Sequence, residues 1–315
     1  MKTTPRFGYA CINTTLQKTE KVQCNRGMIK RTWLKKGMPY ASELSLINAR
    51  ALKRIIEWNA ENGIEVFRIS SCLFPWMSEY DIFDLPDIDI ICDTLKECGD
   101  IAKANNQRLS FHPGQFCVLA SPSDGVVEKT IKELNDTAII MDMIGMPQNH
   151  NAKINIHVGG AYGDHDSALK RFCKNFSRLS FSARSRLTVE NDDKPSMYST
   201  KMLYDGVYSR TGIPIVFDSH HFGLGPQDQS YSEAIHMAAS TWGTIRPVCH
   251  HSNSKKNYED ASVPACSHSS WYYEPFDNDG LGVDVVLECK QKELALFKYL
   301  KDFSHLYTDS LKNAA

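Results

Sequence analysis

Arg108-Leu109-Ser110-Phe111-His112-Pro113-Gly114-Gln115-Phe116, followed from Ser123-Asp124 by Val127, Ile131, Leu134, Ala138 and Met141, is the stretch that decides the fold. A short run ends in a histidine and a Pro-Gly turn, and a capped segment then steps its apolar residues by four, three, four and three. That pattern predicts a strand, a loop and a helix with one buried face, which is one β/α unit. Working outward, similar runs occur at Phe7–Cys11, Ile64–Ile69, Lys153–Ile156, Arg186–Val189, Ile213–Phe217, Ile245–Cys249 and Asp284–Leu287. Between them lie further helical patterns, such as Ala51, Ile55 and Trp58 ahead of Gly63, and Leu169, Phe172 and Phe176. Eight strand-then-helix units with no Pro-, Gly- or Ser-rich linker predict a single closed (β/α)8 barrel over residues 1–303 with a tail at 304–315, ahead of two open sheets.

Composition agrees with one large soluble core. A chain of 315 residues with 42% hydrophobic and 23% charged residues fits neither a collagen-like nor a disordered class. No apolar run reaches the length of a membrane span, and no secretory leader is expected at the N-terminus. The ten cysteines form no C-x-x-C pair, which points to reduced thiols and an intracellular, cytoplasmic setting, or a nuclear one in a eukaryote. No Gly-x-Gly-x-x-Gly or Walker pattern is present, so no nucleotide cofactor is expected.

In such a barrel the chemistry lies at the C-terminal ends of the strands. Six consecutive predicted strands end in His112, His157, Glu190, Asp218 (with His221 three residues on), His250 and Glu288. A single histidine of this kind is usually structural. Six consecutive ends are hard to obtain by chance from 11 histidines and 37 acidic residues in 315. Imidazoles and carboxylates without a thiolate suit divalent ions such as Zn²⁺, Mn²⁺ or Fe²⁺, and neighbouring ions suit a phosphate diester substrate. Charge points the same way. Residues 1–40 hold nine Lys or Arg and one acid, while the rest of the chain is net acidic. Lys30, Arg31, Lys35 and Lys36 are the densest group, expected in a long loop after the first strand on the ligand-bearing face. Lys255 and Lys256 follow the seventh strand. Both sets are candidates for phosphate contact.

The strings Phe7-Gly8-Tyr9-Ala10-Cys11-Ile12-Asn13, Phe67-Arg68-Ile69-Ser70-Ser71, Ser110-Phe111-His112-Pro113-Gly114-Gln115-Phe116, His157-Val158-Gly159-Gly160-Ala161-Tyr162-Gly163, Glu190-Asn191-Asp192 and Phe217-Asp218-Ser219-His220-His221 resemble the UV damage endonuclease family, in order from about residue 7 to 290. The resemblance implies a DNA repair endonuclease that nicks the backbone immediately 5′ to cyclobutane pyrimidine dimers and 6-4 photoproducts, and at abasic sites. It implies three divalent ions, Mn²⁺ or Zn²⁺ before Mg²⁺. His112, His157 and Glu190 would hold one; Glu190, Asp218, His250 and Glu288 a second, with Glu190 bridging; His221 and His268 a third. Lys290 would lie near the phosphate, Gln115 and Phe116 would enter the damaged duplex, and Tyr9 and Asn13 would line the pocket for flipped nucleotides. Two departures are expected to matter: Phe116 lacks the hydroxyl of the tyrosine common there, and Cys72 stands at the end of the second strand. The expected partner is damaged double-stranded DNA, bound by a monomer with no membrane contact. A metal-dependent sugar isomerase or epimerase on the same barrel, and an inactive lesion-binding protein, are the competing readings. Neither accounts for the basic N-terminal stretch together with a full ligand set.

Overall fold

The strands of the computed structural model, which describes residues 4–308, are short and β-branched or aromatic, and every residue of most of them is buried. They are β1 (Arg6–Cys11), β2 (Val66–Ile69), β3 (Arg108–Phe111), β4 (Ile154–Ile156), β5 (Leu187–Glu190), β6 (Ile215–Asp218), β7 (Val248–His251) and β8 (Asp284–Leu287). All eight pair in parallel in sequence order, and β8 closes on β1 through Arg6↔Asp284 to Tyr9↔Leu287. The predicted barrel is the observed one. Burial on both faces explains why the strands read as near-continuous apolar runs.

Two cores follow from the closure. The larger lies between strands and helices, where Tyr9, Phe67, Phe111, Val189 and Phe217 meet helical residues such as Leu52, Ile55, Leu134 and Phe172. The smaller fills the barrel with Ala10, Val66, Val216, Val248 and Val286, floored by Trp242. Side chains alternate along a strand, so the inward positions are every second residue. Gly8 is one of them, and a Cβ there would fall 1.8 Å from the Val66 carbonyl oxygen. The same alternation continues upward: β6 carries Val216 then Asp218, β7 Val248 then His250, and β8 carries Val286 with Glu288 just past its end. The floor is ionic, with the buried Asp284 carboxylate bound by Arg6 at 2.7 Å, Arg108 at 3.0 Å and Arg246 at 2.8 Å.

One expectation is corrected. Residues 30–36 do not form a loop. They open a helix that runs Lys30–Glu61, broken by non-helical Gly37 (φ 59°, ψ −154°) just before Pro39. Proline removes a helical N–H and glycine tolerates the left-handed backbone, so the first turns are set at an angle to the body. Of the 304–315 tail, residues 309–315 lie outside the described residues. Within it the Tyr307 hydroxyl donates to the Phe276 carbonyl at 2.7 Å. All ten cysteines are free thiols. Among the described residues no helix is long and apolar enough to cross a membrane.

Candidate metal centre and nucleic-acid interface

The uppermost inward layer of the barrel collects the chemistry. Three groups of side chains each bring their ligand atoms within 4.8 Å of one another: His112, His157 and Glu190; Glu190, Asp218 and His221; and Asp218, His250 and Glu288. Glu190 and Asp218 each belong to two groups. Glu190 Oε2 lies 3.3 Å from His112 Nε2, and its Oε1 lies 3.3 Å from His221 Nδ1 and 3.1 Å from His250 Nδ1. Burial alone would push the Glu190 carboxyl up, but the imidazoles of His250, His112 and His221 hold it well below the usual carboxylate range. Burial, with Glu190 and Glu288 close by, pushes Asp218 the other way.

The residues fit divalent ions. Asp218 Oδ2 is buried with no hydrogen-bond partner, and His250 Nδ1, also without one, stands 3.1 Å from Glu190 Oε1 and 3.3 Å from Glu288 Oε1. Unsatisfied buried donors and acceptors of this kind are costly unless something else occupies their lone pairs. The donor set is nitrogen and oxygen only, which suits borderline-hard cations.

Other side chains brace this layer, and no motif announces them. The Asn155 amide donates to Glu190 Oε2 while its oxygen accepts from Thr188 Oγ1 at 2.8 Å. Arg68, inward on β2, pairs with Glu288. Lys153, just before β4, is fully buried with Nζ 3.1 Å from His250 Nε2, and burial pushes its ammonium down to about 7. His157 Nδ1 lies 2.9 Å from Asp192. Arg68, Lys153 and Asn155 sit in or beside strands, where a polar residue inside an apolar run carries no distinctive spacing.

His268 belongs to none of the three groups. Its Nδ1 is 2.6 Å from the Ser252 hydroxyl, its Nε2 is 3.7 Å from Glu288 Oε2, and its ring lies 5.5 Å from that of His220. His221 instead stands beside Glu190 and against the His157 ring at 5.4 Å. Lys290 is exposed just past β8, with its backbone N–H donated to Ser269. Lys292, which carries no sequence signal, is less exposed and holds a left-handed backbone at φ 53°.

The residues expected to meet DNA divide. Gln115 and Phe116 are exposed, Phe116 at 79%, beside a cleft of about 420 Å³ lined by His112, Gln115, His157, Asp192, Lys194 and His221. Lys30, Arg31, Lys35, Lys36 and Lys256 are exposed or partly so, and Lys255 is partly buried. Tyr9 and Asn13, expected to line a nucleotide pocket, are 0% and 1% exposed in this structure. The Tyr9 hydroxyl donates to Asn59 at 2.8 Å and accepts from Asn13 at 2.9 Å, and the Asn13 oxygen caps the helix Thr14–Thr19 through the Leu16 N–H. Tyr9 points outward from the barrel because it alternates with the inward Gly8 and Ala10. Cys72 is exposed and belongs to none of the ligand groups.

Known proteins resemble this chain to different depths. The UV-damage endonuclease of Schizosaccharomyces pombe is 31% identical over 310 residues, covering 95% of this chain and 50% of its own, so the chain spans about half of that relative. The UV DNA damage endonuclease of Clostridium perfringens is 28% identical over 312 residues, covering 96% and 71%. The crystal structure of SacUVDE matches with a TM-score of 0.80 at 30% identity, over 96% of this chain and 99% of that one. A 3-keto-D-glucoside 4-epimerase from E. coli matches with a TM-score of 0.56 at 10% identity, over 96% and 99%, which shows a shared barrel and no more. The family model described as UV-endonuclease UvdE extends over residues 5–313, and with it and SacUVDE in agreement the chain belongs to the UV-damage endonuclease family, whose members are enzymes acting on DNA.

Proposed function

We propose that this chain is a metal-dependent repair endonuclease that incises duplex DNA immediately 5′ to UV photoproducts, and at abasic sites. The observation that carries the reading is the layer of three carboxylates and four imidazoles at the barrel mouth, with Asp218 Oδ2 and His250 Nδ1 left unsatisfied. His112, His157 and Glu190 would hold one ion, and Glu190, Asp218, His250 and Glu288 a second, with Glu190 shared. His221 and His268 are the candidates for a third. Divalent ions bound there would neutralise charge at the scissile phosphate and lower the pKa of water so that hydroxide is available to attack it at neutral pH. Mn²⁺ or Zn²⁺ suits the nitrogen-rich donors better than Mg²⁺.

The chain's own residues do the rest. Glu190 keeps two ligand sets in register. Lys290, exposed beside β8, would meet a phosphate oxygen at the mouth. Gln115 and Phe116 offer an amide and a ring where unstacked bases leave a gap in the duplex. Lys30, Arg31, Lys35, Lys36, Lys255 and Lys256 track the backbone. The deciding experiment incubates the Mn²⁺-loaded protein with a duplex carrying one thymine dimer and maps the cut at nucleotide resolution. A single nick directly 5′ to the dimer is expected, and Glu190→Gln should reduce it by several orders of magnitude. Cleavage elsewhere, or a folded Glu190→Gln variant retaining more than about a tenth of the rate, would overturn the mechanism.

A further inference from the structure

Leu34 is 74% exposed in the first turns of the helix Lys30–Glu61. Helical spacing puts Lys30 four residues before it and Arg31 three before, on the same face, with Lys35 adjacent, and all three are exposed. One large apolar side chain is thus ringed by cations. The segment is not loosely held. On its other face Trp33 stacks on Trp76, ring centroids 6.1 Å apart and planes at 2°, and meets Tyr80 at 5.7 Å. The Trp76 ring N–H donates to the Met28 carbonyl at 2.8 Å, and the Asn48 side chain ties Arg26 to the Cys72 and Leu73 carbonyls beyond β2. The break at Gly37 lets these two turns take a direction of their own.

Residues that anchor the segment also share a cavity with the helix Asp124–Met143, which follows the loop carrying Gln115 and Phe116. A cavity of about 240 Å³ is lined by Met28, Cys72 and Trp76 on one side and Glu133 on the other. Leu34 and Phe116 are both strongly exposed, at 74% and 79%.

We propose that residues 30–36 are a second wedge, in which Leu34 enters the minor groove of the bound duplex while Lys30, Arg31 and Lys35 grip the phosphates on either side. This rests on the DNA-incision reading above. A minor groove presents two anionic rails around an apolar floor, which complements one apolar side chain within a basic ring, and apolar wedges there unstack and kink the duplex. A lipid surface would require a broad apolar face instead, and here Leu34 stands among exposed cations with Ile29, at the helix N-cap, as the other strongly exposed large apolar side chain.

The test compares the full-length parent with Leu34→Ala in anisotropy titrations on a dimer-containing duplex with chelator present, at several salt concentrations, and reads duplex bending by end-to-end fluorescence transfer. Truncating a leucine that is buried in the complex should weaken binding by about tenfold. The slope of log K against log salt should stay at the parent value, bending should decrease, and Leu34→Met should restore most of both. Affinity and bending within twofold of the parent would overturn the proposal, as would a loss that appears only as a shallower salt slope. Failure of the parent to incise the dimer duplex would overturn the repair reading separately, because the wedge comparison is made on binding alone.

Discussion

Asn155 shows how much of this site depends on residues with no chemistry of their own. Its amide is neutral, fully buried, and divided between Thr188 and the Glu190 carboxylate that serves two ligand groups. Removing it changes no charge, so its effect on metal binding isolates orientation from electrostatics. Asn155→Ala should weaken Mn²⁺ binding by about 10- to 100-fold, read by calorimetric titration, while the thermal midpoint of the metal-free protein falls only modestly. Unchanged Mn²⁺ affinity would leave Glu190 oriented by its histidines alone. At the other end of the exposure scale, Phe116 has almost no packing to lose. Gln115→Ala with Phe116→Ala should leave metal content and stability as they are and weaken binding to a dimer-containing duplex by about 1–3 kcal/mol for each base that no longer stacks. Equal affinity of parent and variant for damaged and undamaged duplexes would remove both residues from lesion recognition.

The element that departs most from its sequence reading is the helix Lys30–Glu61. Gly37 and Pro39 are strong local breakers, so a sequence pattern ends the helix there and leaves the basic residues in a loop. The chain instead breaks and resumes, because Trp33 is fixed by its stack on Trp76 from outside the segment. A helical frame changes the prediction for its charges: Lys30, Arg31 and Lys35 flank Leu34, while Lys36 turns back over the Tyr40 ring at 3.8 Å. Each phosphate neutralised contributes about −0.9 to the slope of log K against log salt on B-form DNA. Replacing Lys30, Arg31, Lys35 and Lys36 together with Ala should make that slope shallower by about two to three, weaken damaged and undamaged duplexes alike, and keep lesion preference. An unaltered slope with affinity intact would place the DNA along another edge of the mouth.

At the scale of the whole molecule, the two ends of the barrel divide stability from chemistry. The floor closes on Asp284, fully buried among Arg6, Arg108 and Arg246. Burial pushes its carboxyl up, but the bonds from Arg6 and the charge of Arg108 outweigh that and hold it below the ordinary value. A carboxylate with a depressed folded pKa stabilises the fold above its unfolded pKa of about 4, and that contribution is lost as pH falls through the folded value. Asp284→Asn should destabilise by about 3–5 kcal/mol at neutral pH, since it strands buried guanidinium groups. The gap between parent and variant, followed by thermal or urea unfolding, should narrow as pH falls below about 4. A gap independent of pH would assign the loss to packing.

The barrel and most of its candidate ligand ring were legible in the sequence. Period-two alternation inside apolar runs fixes which strand residues point inward, and the residue ending each run must then stand at the mouth, so His112, His157, Glu190, Asp218, His250 and Glu288 were legible from spacing alone. Tertiary structure decided what surrounds them. Arg68, Lys153 and Asn155 reach the site only because β2 and β4 close into the same ring, and inward polar residues at those positions look like ordinary strand interruptions until the opposite strands are in place. It also decided that Tyr9 is core and that residues 30–36 are helical. The first follows from one residue of register and the second from a stacking partner 43 residues away in sequence, Trp33 on Trp76. Local pattern reports which face a side chain takes; only closure of the chain decides what it meets there.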